Sequence, residues 1–432
     1  MCQPKPPVVA VCFNLVKRKN TVWSNSSGVF VWGFCEIFSG WPKMDFYPQN
    51  SYNKQFKIIK KRRIILRVSA DKCPTAIQLS LSLDLPKDND FVISNQNTQP
   101  IQFIDLFAGI GGFHQALHNQ GASCVFASEW DNKCRETYQT NFEHISPNLF
   151  NQNHFAGDIT KVNPSLIPNH DILCAGFPCQ PFSISGKQKG FDDTRGTLFF
   201  NILEIIQEKK PKVVFLENVK HLVHHDNGNT LKVIIEQLER LGYKTSWKVL
   251  NAKDFGLAQN RERIIIIASQ KSHFDFSKIK TKKNQIIRDI LDNDDFEYID
   301  PSEYTLLDKS LWKAQKSGLI FCGYRNKSIR INGTRPNTEH LSRVHKQPNR
   351  IYHIDGTHPT LPSQETSGRF FIYDGIGVRK LTIDECYKLQ GFNKNFQKNT
   401  QLSACYNQIG NSVAVPMIEA IYEQILEQYF ND

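Results

Sequence analysis

Between residues 101 and 268 the chain repeats one pattern of apolar and polar positions. Short apolar runs, the length of a buried strand, give way to polar turns and then to segments with apolar residues three and four apart, the spacing of one helical face. Gln102 to Leu106, Ser123 to Ser128, Asp171 to Ala175, Lys212 to Leu216 and Ile264 to Ala268 read as strands. Phe113 to Leu117 opens a helix, and Gly196 to Glu208 reads as another, stopped by Lys209-Lys210-Pro211. Leu231, Ile234, Ile235, Leu238 and Leu241 share one helical face, which Gly242 closes. Strands alternating with helices predict a parallel, doubly wound, Rossmann-like α/β sheet.

Outside this stretch the pattern changes. Before residue 100 only Ile58 to Val68 and Ala76 to Leu85 look structured. From Gln270 to about Asn395 the chain is polar and basic, with short β patterns at Ser328 to Ile331 and Arg369 to Tyr373, which predicts a smaller, irregular, strand-rich domain. Val413 to Phe430 is an amphipathic helix expected to pack back on the first domain. The expected segments are therefore 1–100, 101–270, 271–395 and 396–432.

Chemistry gathers at the ends of the strands, where open α/β sheets place ligands. The first runs into Phe107-Ala108-Gly109-Ile110-Gly111-Gly112 and then a helix, a turn in which glycine lets the backbone approach a ligand. The spacing is not GxGxxG and no Lys-Ser/Thr follows, which disfavours phosphate. The second strand ends in Glu129-Trp130, an acid placed for ribose hydroxyls beside a flat ring for an adenine. A third element ends at Gly157-Asp158-Ile159, and together these suggest a nucleoside pocket. The strand from Asp171 stops at Gly-Phe-Pro-Cys, leaving Cys179 at its carboxyl end before a long polar loop. The strand from Lys212 ends in Glu217-Asn218-Val219, and Gln259-Asn260-Arg261-Glu262-Arg263 opens the strand from Ile264.

Composition narrows the function classes. Lys plus Arg exceed Asp plus Glu by 53 to 42, a net charge of +11, which favours a polyanionic partner, nucleic acid first. The 11 cysteines contain no CxxC pair and no metal-spaced Cys/His cluster, so neither a disulfide framework nor a metal site is expected. No apolar run reaches transmembrane length, and no secretory signal pattern opens the chain. Met44 is an internal methionine able to serve as an alternative start.

The ordered blocks DLFAGIGGF from Asp105, EW at Glu129, GDI at Gly157, GFPCQPFSISGKQKGFDDTRGTLFF from Gly176, ENV at Glu217, QNRER from Gln259, RKLTIDECYKLQGF from Arg379 and GNSV at Gly410 carry a resemblance. Over about 101–270 and 356–430 the chain resembles the DNA (cytosine-5) methyltransferases of bacterial restriction–modification systems. The resemblance implies a catalytic and cofactor-binding domain at 101–270, a target-recognition domain at 271–395, and a C-terminal segment that returns to complete the cofactor pocket. Residues 1–100 are then an N-terminal extension, which the compact bacterial members lack.

The chemistry of the proposed reaction is consistent with these residues. Cytosine C5 is a poor nucleophile, and a thiolate adding at C6 makes it enamine-like; Cys179 suits that role. The resemblance makes Glu217 the partner of cytosine N3 and Arg263 the residue meeting O2 and the acid, with Arg261 in the same catalytic group. Arg261 and Gln259 more readily support geometry or contact backbone phosphate. The methyl donor implied is S-adenosylmethionine, held by Phe107, Gly109, Gly111, Glu129, Trp130, Asp158, Ile159, Pro178, Leu198, Asn411 and Ser412. The resemblance also implies that Ser185 lies near the space left by a base rotated out of the duplex, on a lid carrying Lys187, Lys189 and Arg195. Arg325, Arg330, Arg335, Arg343 and Arg350 are candidates for contacts with bases or phosphates.

The partner implied is double-stranded DNA, with a restriction endonuclease as functional counterpart and no physical complex. The expected protein is a monomer in the bacterial cytoplasm, associated with the nucleoid. A transfer-RNA cytosine-5 methyltransferase of the same fold and a catalytically silent DNA-binding relative are the alternatives.

Overall fold

The strands of the repeating pattern assemble into one seven-stranded sheet. In the computed structural model the described residues are 64–69, 78–83, 100–178, 198–293, 296–327, 337–363 and 371–431. The chain divides into two compact units, 1–97 and 98–432. In the first, β1 (Ile64–Ser69) and β2 (Gln78–Leu83) pair antiparallel, with Ile64 opposite Leu83.

The second unit opens with β3 (Gln102–Leu106), α1 (Gly112–His118), β4 (Ser123–Ser128), α2 (Asn132–Phe142), α3 (Pro147–Asn151) and β5 (Phe155–Ala156). Next come β6 (Ile172–Gly176), α4 (Leu198–Lys209), β7 (Val213–Val219), α5 (Asn229–Arg240), β8 (Lys244–Asn251), β9 (Gln259–Asn260) and β10 (Glu262–Ser269). The large sheet runs β5-β4-β3-β6-β7-β10-β8. Every neighbouring pair is parallel except those of β10, which runs antiparallel between β7 and β8. The expectation of a wholly parallel sheet is corrected here. An unbroken apolar run such as Ile264 to Ala268 reports burial on both faces but not direction.

Successive residues on these strands face opposite layers. Phe103, Cys174, Phe215, Ile265 and Ile267 pack with Phe113 and Leu117 of α1 and Tyr138 and Phe142 of α2. Ile104, Leu173, Leu216, Ile264 and Ile266 pack with Ile202 of α4 and Leu231, Ile234 and Leu238 of α5. Gly242, at φ +88, follows α5 where a left-handed residue is needed to leave a helix.

The smaller sheet contains β11 (Tyr304–Leu306), β12 (Phe321–Arg325), β13 (Arg350–His353), β15 (Phe371–Tyr373) and β16 (Val378–Lys380), in order β11-β12-β13-β15-β16. The expected strand Ser328 to Ile331 lies outside the described residues. β14 (His358–Pro359) leaves this sheet to pair parallel with β9, joining the two parts of the unit. Helix α6 (Ile383–Gln390) starts with a capping box in which Thr382 Oγ1 accepts the Glu385 N–H and the Glu385 carboxylate accepts the Thr382 N–H. After α7 (Leu402–Asn411), α8 (Val415–Tyr429) packs on α1, and Glu419 accepts from both Asn119 Nδ2 and Gln120 Nε2.

Candidate active site

The turn after β3 bends through left-handed backbone at Phe107 (φ +56), Gly109 (φ +56) and Gly111 (φ +84). Two of its glycines serve different ends. A Cβ at Gly111 would lie 2.2 Å from the Phe142 ring, so that glycine is set by packing. Among the described residues, a Cβ at Gly109 would meet nothing within 4 Å, so the main chain at that position borders open space. Glu129, at the end of β4, turns its carboxylate toward the same place. Its Oε2 accepts the Gly109 N–H at 2.8 Å and its Oε1 accepts the Asp131 N–H at 2.9 Å. Burial raises its pKa and these two bonds oppose the rise.

Trp130 beside it is 81% exposed, so most of its indole is open to solvent. The Glu129 N–H donates to Ala156 O at 3.1 Å, which brings the next strand end, with Asp158 and Ile159, alongside. Asp158 is exposed and caps its own turn through Thr160, whose hydrogen bonds lower its pKa; Ile159 is buried. The returning tail closes beneath the turn. A Cβ on Gly112 would lie 3.0 Å from Ser412 Oγ, and Asn411 is exposed just before it. Pro178 is exposed at the end of the β6 run, and Leu198 is half-buried at the start of α4.

The second cluster lies two strands along the sheet. Gly176 of β6 pairs with Glu217 of β7, and β10 places Arg263 opposite Val219. Arg263 Nε donates to Glu217 Oε1 at 2.9 Å, with both side chains about one-tenth exposed. Burial raises the pKa of Glu217, while the charges of Arg263 and Arg261 pull it back. The carboxyl is therefore readier to hold a proton near neutral pH than an exposed glutamate. Asn218, which sequence reasoning left without a role, donates its Nδ2 to Phe177 O at 2.8 Å and anchors the main chain two residues before Cys179. Cys179 itself, with Ser185, Lys187, Lys189 and Arg195, lies outside the described residues.

Two expectations need correction. Gln259 is fully buried and cannot touch DNA as placed; its amide donates to Leu389 O and Gln390 Oε1 and accepts the Leu361 N–H. Arg261 is 1% exposed, and its guanidinium donates to Gly410 O, Ser412 O and Leu361 O, so it holds main chain rather than a reacting atom. Both residues look like surface contacts in sequence because their partners are about 100 to 150 positions away.

In the smaller sheet, Arg325 pairs with Glu303 and lies over the Phe371 ring at 5.1 Å, so an acid within its own domain already balances its charge. Arg350 donates through Nε and Nη2 to His345 O, while Arg343 is exposed. Arg330 and Arg335 lie outside the described residues. Among the described residues no group of His, Cys, Asp or Glu is arranged to hold a metal ion, and no helix is long and apolar enough to cross a membrane.

The mixed α/β architecture, with a glycine turn at one strand end and a buried acid–arginine pair at another, is of the methyltransferase fold class. The pattern of the C-5 cytosine-specific DNA methylases matches residues 101–427, and the chain belongs to that family. It is therefore a DNA cytosine-5 methyltransferase. It is 42% identical over 339 residues to the type II methyltransferase M.HhaI of Haemophilus parahaemolyticus, covering 76% of this chain and 95% of the relative. It is 43% identical over 322 residues to M.HaeII of Haemophilus aegyptius, covering 74% and 90%. Among solved structures, a DNMT2 mutant from Spodoptera frugiperda superposes with a TM-score of 0.53 at 17% identity, over 76% of this chain and 99% of that one. The Dnmt2 methyltransferase of S. pombe superposes with a TM-score of 0.51 at 17% identity, over 77% and 100%. At that identity the likeness is one of fold.

Proposed function

We propose that the chain transfers a methyl group from S-adenosylmethionine to C5 of a cytosine rotated out of a short specific sequence in duplex DNA, protecting its host from a matching restriction endonuclease. The observation that carries this reading is the buried Glu217–Arg263 pair in register with the strand that leads to Cys179. The similarity to type II methyltransferases of bacteria supports the restriction–modification setting. The net charge of +11 suits a nucleic-acid partner. The reading includes a monomer acting in the cytoplasm at the nucleoid, without a stable complex with the endonuclease.

The residues at the first cluster fit the cofactor. The main chain at Gly109 borders open space, Glu129 keeps lone pairs for ribose hydroxyls, and Trp130 offers an exposed ring for adenine. When bound, S-adenosylmethionine supplies an electrophilic methyl group. The Cys179 thiolate adds to C6, and the electron pair of the C5–C6 double bond moves toward N3 and O2. Glu217 in its protonated form donates to N3, and Arg263 holds both O2 and the acid in place. C5 then takes the methyl group, with S-adenosylhomocysteine as the leaving group; loss of the C5 proton to a base restores the C5–C6 double bond and expels Cys179 as thiolate, while N3 returns its proton to Glu217.

The test uses duplex DNA with 5-fluorocytosine at the target, where the fluorine blocks the last step. With S-adenosylmethionine the chain should form a covalent adduct that survives denaturation, and Cys179→Ser should abolish it. If the serine variant traps DNA as well as the parent does, the mechanism is wrong.

A further inference from the structure

The C-terminal carbonyls of a helix have no partners within it and must find donors elsewhere. At the end of α7 those donors are side chains from distant segments. Gln390, the last residue of α6 and fully buried, donates its Nε2 to Ile409 O and to Ser412 O, each at 3.0 Å. Arg261 Nη2 donates to Gly410 O at 2.9 Å and to Ser412 O at 2.6 Å. The Ser412 carbonyl is thus held by two donors at the point where the tail passes under the turn before α1.

The two donors are linked through Gln259. Its Nε2 donates to Gln390 Oε1 at 2.9 Å and to Leu389 O at 2.9 Å, and its Oε1 accepts the Leu361 N–H at 3.0 Å. A buried lattice of two amides and a guanidinium therefore stitches together residues 259–261, 361, 389–390 and 409–412. The backbone crossing is tight, since a Cβ on Gly410 would lie 2.1 Å from Pro362 O. Arg263, which grips Glu217, is two residues beyond Arg261.

We propose that Gln390 is a positioning residue: with Gln259 and Arg261 it couples the placement of Asn411 and Ser412 on the cofactor side to that of Arg263 on the base side. This rests on the reading that Ser412 borders the S-adenosylmethionine site. Gln390 touches no reacting group and acts through the main chain it holds. Removing the Gln390 amide takes away one of the two donors to Ser412 O and one of the two acceptors of Gln259 Nε2, so one substitution disturbs both ends of the lattice.

The test is Gln390→Met, which keeps length and removes the amide. Isothermal titration with S-adenosylhomocysteine should show affinity weakened about tenfold, the worth of one lost net hydrogen bond. KM for S-adenosylmethionine should rise similarly while KM for DNA stays within about twofold. In the parent chain, S-adenosylhomocysteine should slow amide hydrogen exchange at 259–263 as well as at 408–413, a measurement that does not depend on the variant folding. Unchanged cofactor affinity in a folded Gln390→Met, or protection confined to the glycine turn and the tail, overturns the coupling. A parent chain that binds no S-adenosylhomocysteine overturns the cofactor reading itself, and the proposal with it.

Discussion

Glu217 is pulled in two directions, by burial toward the neutral acid and by Arg263 toward the carboxylate, and burial prevails. A donor to cytosine N3 needs that balance. Glu217→Gln keeps the shape and removes the transferable proton, and methylation should fall by about 10²–10⁴-fold, read as initial rates on duplex DNA. The pH dependence follows from the same shift. A carboxyl whose pKa is raised in the folded state stabilises the fold below its unfolded value near 4.5 and loses that contribution as pH rises through the raised value. The stability of the parent relative to Glu217→Gln should therefore fall from about pH 4.5 upward and level off at higher pH, as followed by thermal unfolding across that range. A difference that grows with pH would mean Arg263 outweighs burial. At this scale the sequence was legible where a side chain stands at a strand end, as Glu129 and Glu217 do. At Gln259 and Arg261 it left support of geometry and contact with DNA both open, because a polar residue between two strands reads alike whether it meets solvent or a helix end contributed by the tail.

Among the elements, the turn after β3 separates the demands of packing from those of binding. Gly111→Ala would set a methyl group against Phe142 at a positive φ, and should cost about 2–4 kcal/mol of stability. Gly109→Ala pays only the backbone strain, about 1–2 kcal/mol, yet its methyl group projects into the open space assigned to the cofactor. Thermal unfolding should rank Gly111→Ala as the less stable variant, and titration with S-adenosylhomocysteine should rank Gly109→Ala as the poorer binder among folded chains. Equal binding by Gly109→Ala and the parent would place the cofactor elsewhere. The boundaries of β3 and β4 were readable to the residue, since each is an apolar run bounded by a turn. The direction of β10 was not, because direction depends on how the chain returns from β8. Helix α8 reads as amphipathic but buries Val415, Met417, Ile418, Ala420, Ile421, Tyr422, Gln424 and Ile425, because it packs on α1 and its apolar side chains join the core on one face of the large sheet.

For the molecule as a whole, segments far apart in the chain complete one core. The tail supplies Ser412 and then α8 to the layer that contains α1, so the core of the second unit is complete only when its last helix is in place. The first unit comprises residues 1–97. Its described part is the β1–β2 pair, whereas both sheets, the Glu217–Arg263 pair and the lattice around Gln390 all fall within 98–432. The family pattern likewise begins at residue 101. A chain of residues 98–432 should therefore fold by itself, with a melting temperature close to that of the parent and kcat/KM on duplex DNA within about threefold, a loss of under 1 kcal/mol in transition-state binding. A shortened chain that keeps its circular dichroism and cofactor affinity but loses more than about tenfold in kcat/KM would place DNA contacts in the first 97 residues. One that fails to fold would make them part of the structure of the second unit.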